Sequence, residues 1–335
     1  MSAVLGVDGG GRKTYAIVAD GSGALLGAGV GGSSNWETAG LEGACEAVAT
    51  SADAALEAAG LRRGALDASV FGLAGVDWPS DLGLLEGVIA PLGFGGPHRI
   101  VNDAFVALRA GTTQPWGAVV ISGTGTVAAG RNPAGDEFRT IGEGRVFGDF
   151  GSEFDVSELA VRAVADAYTG RGPSTMLTEL ICDRAGVDTA STLLERLSRQ
   201  DTRLRSPEVA NMAPLVLVAT ERGDLVARTI LEQIGSSLGD AAGLVASRLE
   251  MQDVEFEVVC AGNLFRTPNR YLMDQLELGV RRTAPRARPE VLNTPPVVGA
   301  GLMALELAGP TIGAGASPRL ASAAANHFWG GGEDA

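Results

Sequence analysis

Three carboxylates and two glycine-rich turns carry the chemistry open to this sequence. "DGGGRKT" (8–14) sets Asp8 against three glycines and then Lys13, the only lysine among 335 residues, against 25 arginines. Glycines let peptide N–H groups approach and converge on a phosphate. A neighbouring carboxylate suits a hydrated Mg²⁺, and an ammonium adds a point charge for phosphate oxygens. The same residues also suit a tight hairpin with a turn aspartate. The motif lacks the Gly-x4-Gly-Lys-Ser/Thr of a Walker A loop. "SGTGT" (122–126) is a second turn of the same kind. Two such turns, one in each of two paired lobes, would clamp a polyphosphate from opposite sides. "VNDAF" (101–105) sets Asp103 between a buried strand and a helix. Two roles fit it: a helix N-cap, or a general base that takes the proton of an attacking hydroxyl.

Two polar loops, "GSSNWE" (32–37) and "FGDFGSE" (147–153), offer Asn35 and Asp149 to sugar hydroxyls, and both also read as ordinary loops. "CAGNLF" (260–265) and "VVGAGL" (297–302) combine glycines with an adjoining strand or helix. Small residues there would admit an adenine ring or simply allow close packing. His98 and His327 are isolated, so no zinc pattern exists.

The elements that must position these residues follow from periodicity. Residues 3–8 and 14–19 read as strands joined by the first glycine turn, with a third strand over 24–30. A helix follows, its stripe formed by Leu41, Cys45, Val48, Ala52, Ala55, Leu56 and Ala59. "SVFGLAGVD" (69–77) is a buried strand entering a loop, and 98–108 a strand, a polar pair and a helix. At 117 the opening theme returns as strand, glycine turn, strand, turn, strand. A repeated unit of this kind indicates a duplicated domain, two related lobes facing each other across a cleft. Residues 151–250 are mostly helical. Over 225–249 the stripe includes Leu225, Ile230, Leu231, Ile234, Leu238 and Leu244. Residues 255–265 form a strand and turn, 295–308 a helix, and the stretch from about 311 to the closing "GGGEDA" reads as loose.

Composition sets bounds. Apolar residues make up 45% and charged residues 20%, enough for a sizeable core. The net charge of −14 argues against a nucleic-acid partner. Cys45, Cys182 and Cys260 lie far apart and signal neither a disulfide framework nor a clustered metal site. No run reaches membrane-spanning length and no leader is evident, so a cytoplasmic location without membrane contact is the expectation.

With these residues in order, the chain resembles the BadF/BadG/BcrA/BcrD-type ATPase family of the actin, hexokinase and Hsp70-like superfamily, nearest its N-acetylglucosamine and glucosamine kinase branch. The motifs that carry the resemblance are "GVDGGGRKT", "GSSNW", "VNDAF", "ISGTGT" and "GDFGSE", followed by "VVCAGNLF" and "VVGAGLMAL". The resemblance implies an α/β fold of two ribonuclease-H-like lobes around a central cleft. Residues 1–115 would be the N-terminal lobe and 116–299 the C-terminal lobe with a helical insertion, and a helix at about 300–320 would pack back on the first. It implies ATP and Mg²⁺ as cofactors and phosphorylation of the 6-hydroxyl of N-acetylglucosamine or glucosamine. Asp8 would face the metal. Gly9, Gly10, Gly11, Lys13, Thr14, Gly123, Thr124 and Gly125 would serve the phosphates, and Gly262 and Asn263 the adenosine. Asn35, Trp36, Asn102, Asp103, Thr124 and Asp149 would hold the sugar, with Asp103 as the base. This sequence departs from the family pattern at Arg12, at Phe150 and Glu153, and at Asn263.

Alternatives stay open at this level. One is a catalytically weak sugar sensor, suggested by Arg12 and Phe150. Another is an activator ATPase of the 2-hydroxyacyl-CoA dehydratase type, which needs closely spaced cysteines. The sequence leaves open which sugar is taken and whether the chain pairs as a homodimer.

Overall fold

The computed structural model describes residues 3–199, 212–309 and 315–330. The chain divides into two compact units, Met1–Gly117 with Leu292–Ala335, and Ala118–Val291. In the first, β1 (Ala3–Gly9), β2 (Thr14–Asp20) and β3 (Leu25–Gly31) form an antiparallel meander. α1 (Trp36–Ala59), β4 (Ala68–Leu73), α2 (Pro79–Ile89), β5 (His98–Asn102) and α3 (Asp103–Gly111) follow. The sheet order is β3-β2-β1-β4-β5, with β4 parallel to β1 and β5 parallel to β4.

β1 is buried along almost its whole length because both faces of the sheet are covered. On one face Leu5 and Val7 join Ala44, Val48 and Ala52 of α1 in the core. The contact between α1 and β3 is backbone on backbone. A Cβ at Gly27, Gly29 or Gly31 would collide with the carbonyl oxygen of Ala55, Ser51 or Ala47 respectively. Two strand residues advance about 6.7 Å and four helical residues about 6 Å, so the two periods run nearly in step. Gly29→Val should therefore destabilise by about 3 kcal/mol. Scanning calorimetry should show this as a fall in Tm of roughly 6–12 °C for a unit of this size.

The second unit repeats the plan. β6 (Gly117–Ser122), β7 (Thr126–Arg131) and β8 (Glu137–Arg139) open it. Among the described residues five helices follow: α4 (Glu153–Thr169), α5 (Leu177–Ala185), α6 (Ala190–Arg199), α7 (Ala213–Glu221) and α8 (Leu225–Arg248). β9 (Phe256–Ala261), α9 (Arg270–Arg281) and β10 (Ala287–Val291) complete it. Its sheet order is β10-β9-β6-β7-β8, with β9 parallel to β6 and β10 parallel to β9. Read from the other edge, this is the order of the first sheet, a three-strand meander and two parallel strands. The repeat expected from the sequence is thus a repeat of topology.

Two elements differ from the sequence reading. Leu225 and Leu244 fall on the apolar stripe predicted for 225–249, yet they are 73% and 49% exposed. α9 docks along Gly235 and Gly239 of α8, where a Cβ would strike Gln275 or Leu276, and Thr283, just beyond α9, lies close over Gly243. The buried face is centred on those glycines. Leu244 lies about 100° round the helix from Gly243, and Leu225 sits in the first turn, ahead of the contact.

α10 (Val297–Ala308) and α11 (Ala316–Phe328) belong to the first unit. The small residues of "VVGAGL" serve close packing: Gly301 lies against Gly6 of β1, and Gly299 against the Val106 carbonyl of α3. The stretch beyond 311, expected to be loose, contains the ordered α11. That helix buries Ala316, Leu320 and Ala324, and sets Phe328 edge-on to Tyr15 at 5.1 Å between ring centroids. An alanine-rich face gives a weak periodic signal, and two large residues supply the anchoring. The final "GGEDA" (331–335) lies outside the described residues. No helix among the described residues is long and apolar enough to cross a membrane.

Candidate functional site

In the first unit the functional candidates gather at the ends of β1, β4 and β5. Ligands of open α/β sheets bind outside the carboxyl ends of parallel strands. β1 delivers Asp8, half-buried, and then the hairpin tip, closed by a hydrogen bond from Gly10 N to Lys13 O of 3.0 Å. Gly11, Arg12 and Lys13 are exposed. None of Gly9, Gly10 or Gly11 adopts a positive φ, so the glycines are not there for unusual backbone angles. Gly9 is needed because a Cβ would strike Ser34 Oγ and Leu73, whereas a Cβ on Gly11 would meet nothing within 4 Å. Packing within the chain therefore explains Gly9 and leaves the space beside Gly11 open. Thr14 is fully buried and its hydroxyl donates to Gly32 O at 2.7 Å, so that hydroxyl holds the turn to the next strand.

Asp103 stands at the start of α3, and the helix cap falls to its neighbour. Asn102 Oδ1 accepts from Ala104 N at 3.0 Å, while Asp103 is the first helical residue. The N-cap role that the sequence allowed for Asp103 is thus taken by Asn102. The carboxylates of Asp8 and Asp103 interact. Burial, reinforced by the negative charge of Asp103, pushes the Asp8 carboxyl up to about 7. Two acidic groups brought together in a desolvated place are a recurring mark of functional sites. Hard carboxylate oxygens fit Mg²⁺, and a divalent cation at Asp8 would relieve both the burial and the repulsion.

Asn35 caps α1 by accepting from Glu37 N at 3.0 Å. Trp36 is tied down by its indole N–H, which donates to Gly75 O at 2.6 Å. The Gly75–Asp77 loop at the end of β4 carries no site motif of its own in the sequence. Its partners are Trp36, 39 positions away, and Asn102, 25 or 26 positions away. The only signal available was a glycine and an aspartate placed just after a buried strand.

In the second unit the matching hairpin is closed from Gly123 N to Gly125 O at 3.0 Å. Thr124 and Gly125 are exposed, and a Cβ at Gly123 or Gly125 would meet nothing within 4 Å. Glu153 N donates to Gly123 O at 2.9 Å, which ties the turn to the N-terminus of α4. Gly262 lies against the Ser122 backbone with φ of 100°, and Asn263 Nδ2 donates to Glu153 Oε2 at 3.4 Å. The departures Glu153 and Asn263 thus partner each other. Asp149 is buried, and its Oδ2 accepts from Gly142 N at 2.6 Å. Phe150, where the family pattern has an acid, packs its ring beneath the Arg145 guanidinium at 4.8 Å.

The model of the BadF/BadG/BcrA/BcrD ATPase family matches residues 5–304. An N-acetylmuramic acid/N-acetylglucosamine kinase from Clostridium acetobutylicum is 30% identical over 291 residues, 86% of this chain and 93% of its own. An N-acetyl-D-glucosamine kinase from Dictyostelium discoideum is 29% identical over 315 residues, 90% of this chain and 97% of its own. A solved structure from Chromobacterium violaceum, described as that of a candidate N-acetylglucosamine kinase, aligns with a TM-score of 0.67 at 27% identity. That alignment covers 92% of this chain and 99% of the other.

Proposed function

This chain belongs to the BadF/BadG/BcrA/BcrD ATPase family, and from that premise we propose that it is an ATP-dependent kinase of amino sugars, acting on the 6-hydroxyl of N-acetylglucosamine or a close relative. The observation that carries the reading is the interacting Asp8–Asp103 pair beside an open glycine hairpin, with the cap of α3 supplied by Asn102. The names of the relatives from Clostridium acetobutylicum and Dictyostelium discoideum support the substrate class.

Phosphoryl transfer asks a protein for position and charge more than for covalent chemistry. Asp103 takes the proton of the sugar hydroxyl as its oxygen attacks the γ-phosphorus, and the bond from that phosphorus to the bridging oxygen breaks to release ADP. Lys13 and the peptide N–H group of Gly11 hold phosphate oxygens, beside Gly9 and Gly10, whose turn is closed by the Gly10 N–H on Lys13 O. Gly123, Thr124 and Gly125 serve the nucleotide phosphates, and Gly262 and Asn263 the adenosine. Asn35, Trp36, Thr124 and Asp149 orient the sugar, and Asn102 acts on it through the start of α3, which it caps. Mg²⁺, held by Asp8, would supply charge neutralisation at the phosphates.

Lys13→Ala should raise the KM for ATP about tenfold, the scale of one lost hydrogen bond to a charged group. The KM for sugar should stay unchanged. Steady-state kinetics with each substrate varied in turn measures this, and an unchanged ATP KM and kcat would remove Lys13 from the phosphate site.

The activator-ATPase reading asks for thiolates near one another. Cys182 and Cys260 are buried, and burial pushes both thiols above their ordinary range. Among the described residues no cysteine joins a group of three or more metal-ligating side chains, whereas a cluster needs closely spaced thiolates. A coupled ADP-release assay over a panel of hexoses and hexosamines separates a kinase from a sensor. A kinase consumes ATP only when an amino sugar is present. Sugar binding with ATP left intact would establish the sensor.

A further inference from the structure

We infer that Asp77 is a positioning residue for the reaction: it fixes the Asn102 amide, and through it the start of the helix that bears Asp103. The catalytic half of this inference rests on the kinase reading, and the anchoring half stands on geometry alone. Asn102 is 5% exposed and uses both ends of its amide. Oδ1 caps α3 at Ala104 N, and Nδ2 donates to Asp77 Oδ1 at 3.0 Å and to Val76 O at 3.2 Å. An ionised carboxylate only accepts, as does a carbonyl, so both partners of Nδ2 demand the NH₂ end there. That demand excludes the flipped amide, which would turn a donor toward Ala104 N and leave the first turn of α3 uncapped.

The anchor itself is held from three directions. Asp81 Oδ2 accepts from Asp77 N at 2.9 Å and from Trp78 N at 2.7 Å. Trp36 donates to Gly75 O at 2.6 Å. Gly75 has φ of 81°, a conformation that favours glycine, and a Cβ there would press on Asn35 and Trp36. One short loop therefore links Trp36 and Asn102 with the helix start at Asp103. A base must reach its proton within hydrogen-bond distance, and a displacement of about 1 Å at a reacting group can cost as much as 10²-fold.

The test is a double-mutant cycle with Asp77→Ala, Asn102→Ala and the pair, assayed with N-acetylglucosamine and Mg-ATP. The expected result is a fall of about tenfold in kcat for Asp77→Ala with the ATP KM unchanged, and a double variant no slower than Asn102→Ala. Effects that multiply independently, or a kcat for Asp77→Ala equal to the unsubstituted protein's, would overturn the inference. Amide hydrogen exchange gives a readout that needs no turnover. Exchange at Ala104 N should quicken at least about tenfold in Asp77→Ala, since the cap loses its fixed orientation. Unchanged exchange there would overturn the anchoring. Faster exchange in a protein that phosphorylates no sugar would sink the kinase reading and leave the anchoring in place.

Discussion

Asp103→Asn should lower sugar-dependent ATP turnover by about 10²–10⁴-fold, the usual contribution of a positioned general base. The sugar Kd should stay within a few-fold, because the amide keeps the size of the side chain and one acceptor oxygen. The substitution should leave the fold intact, since the cap of α3 is Asn102 and not Asp103. It also removes the like charge that raises Asp8. Calorimetric sugar binding beside a coupled ADP assay reads both quantities. Turnover near that of the unsubstituted protein would remove Asp103 as the base, and lost sugar binding would make it a binding residue instead.

Asp8→Asn should be as damaging to catalysis and informative about stability. Loss of the carboxylate proposed to hold Mg²⁺ should cost about 10²–10³-fold in kcat, given a metal contribution of several kcal/mol. The stability effect has a definite sign. The folded-state value of Asp8 is about 7, raised from 3.8. Between those values the folded protein binds more protons than the unfolded chain, so stability falls as pH rises and levels off above about 7. The full penalty is at most about 4 kcal/mol at roughly 1.4 kcal/mol per pH unit. The substituted amide does not titrate. In chelator-treated protein, the Tm advantage of Asp8→Asn should therefore widen from pH 5 to pH 8. Added Mg²⁺ should narrow that advantage at pH 8 by stabilising only the protein that retains Asp8. The Mg²⁺ requirement for turnover should rise as pH falls below 7, because the proton competes for the same oxygens. A pH-independent Tm difference would show that Asp8 is neither desolvated nor repelled as described.

Much of this was readable in the chain. Apolar runs broken by Gly-Gly-Gly and Gly-Thr-Gly gave both hairpins, and their recurrence pointed to a duplicated plan, which the two sheets repeat strand for strand. Other features were not readable. Asn102 and Asp103 are adjacent and both are good caps, so only geometry divides the labour between them. The role of Asp77 depends on an acceptor meeting an amide 25 positions away, and no local pattern encodes that contact. The period of α11 is faint because alanines bury little area each, and its anchoring comes from Leu320 beside Gly301 of α10 and from Phe328 on Tyr15 of β2, far away in sequence. Glycines ordinarily weaken a strand, and β3 carries Gly27, Gly29 and Gly31. They prove to be what allows α1 to lie on the strand backbone.

The most direct test is the product itself. N-acetylglucosamine and Mg-ATP, incubated with the protein and followed by ³¹P NMR, should yield one equivalent of ADP per equivalent of sugar 6-phosphate. Inorganic phosphate with no sugar ester, or ATP left unconsumed beside bound sugar, would contradict the account.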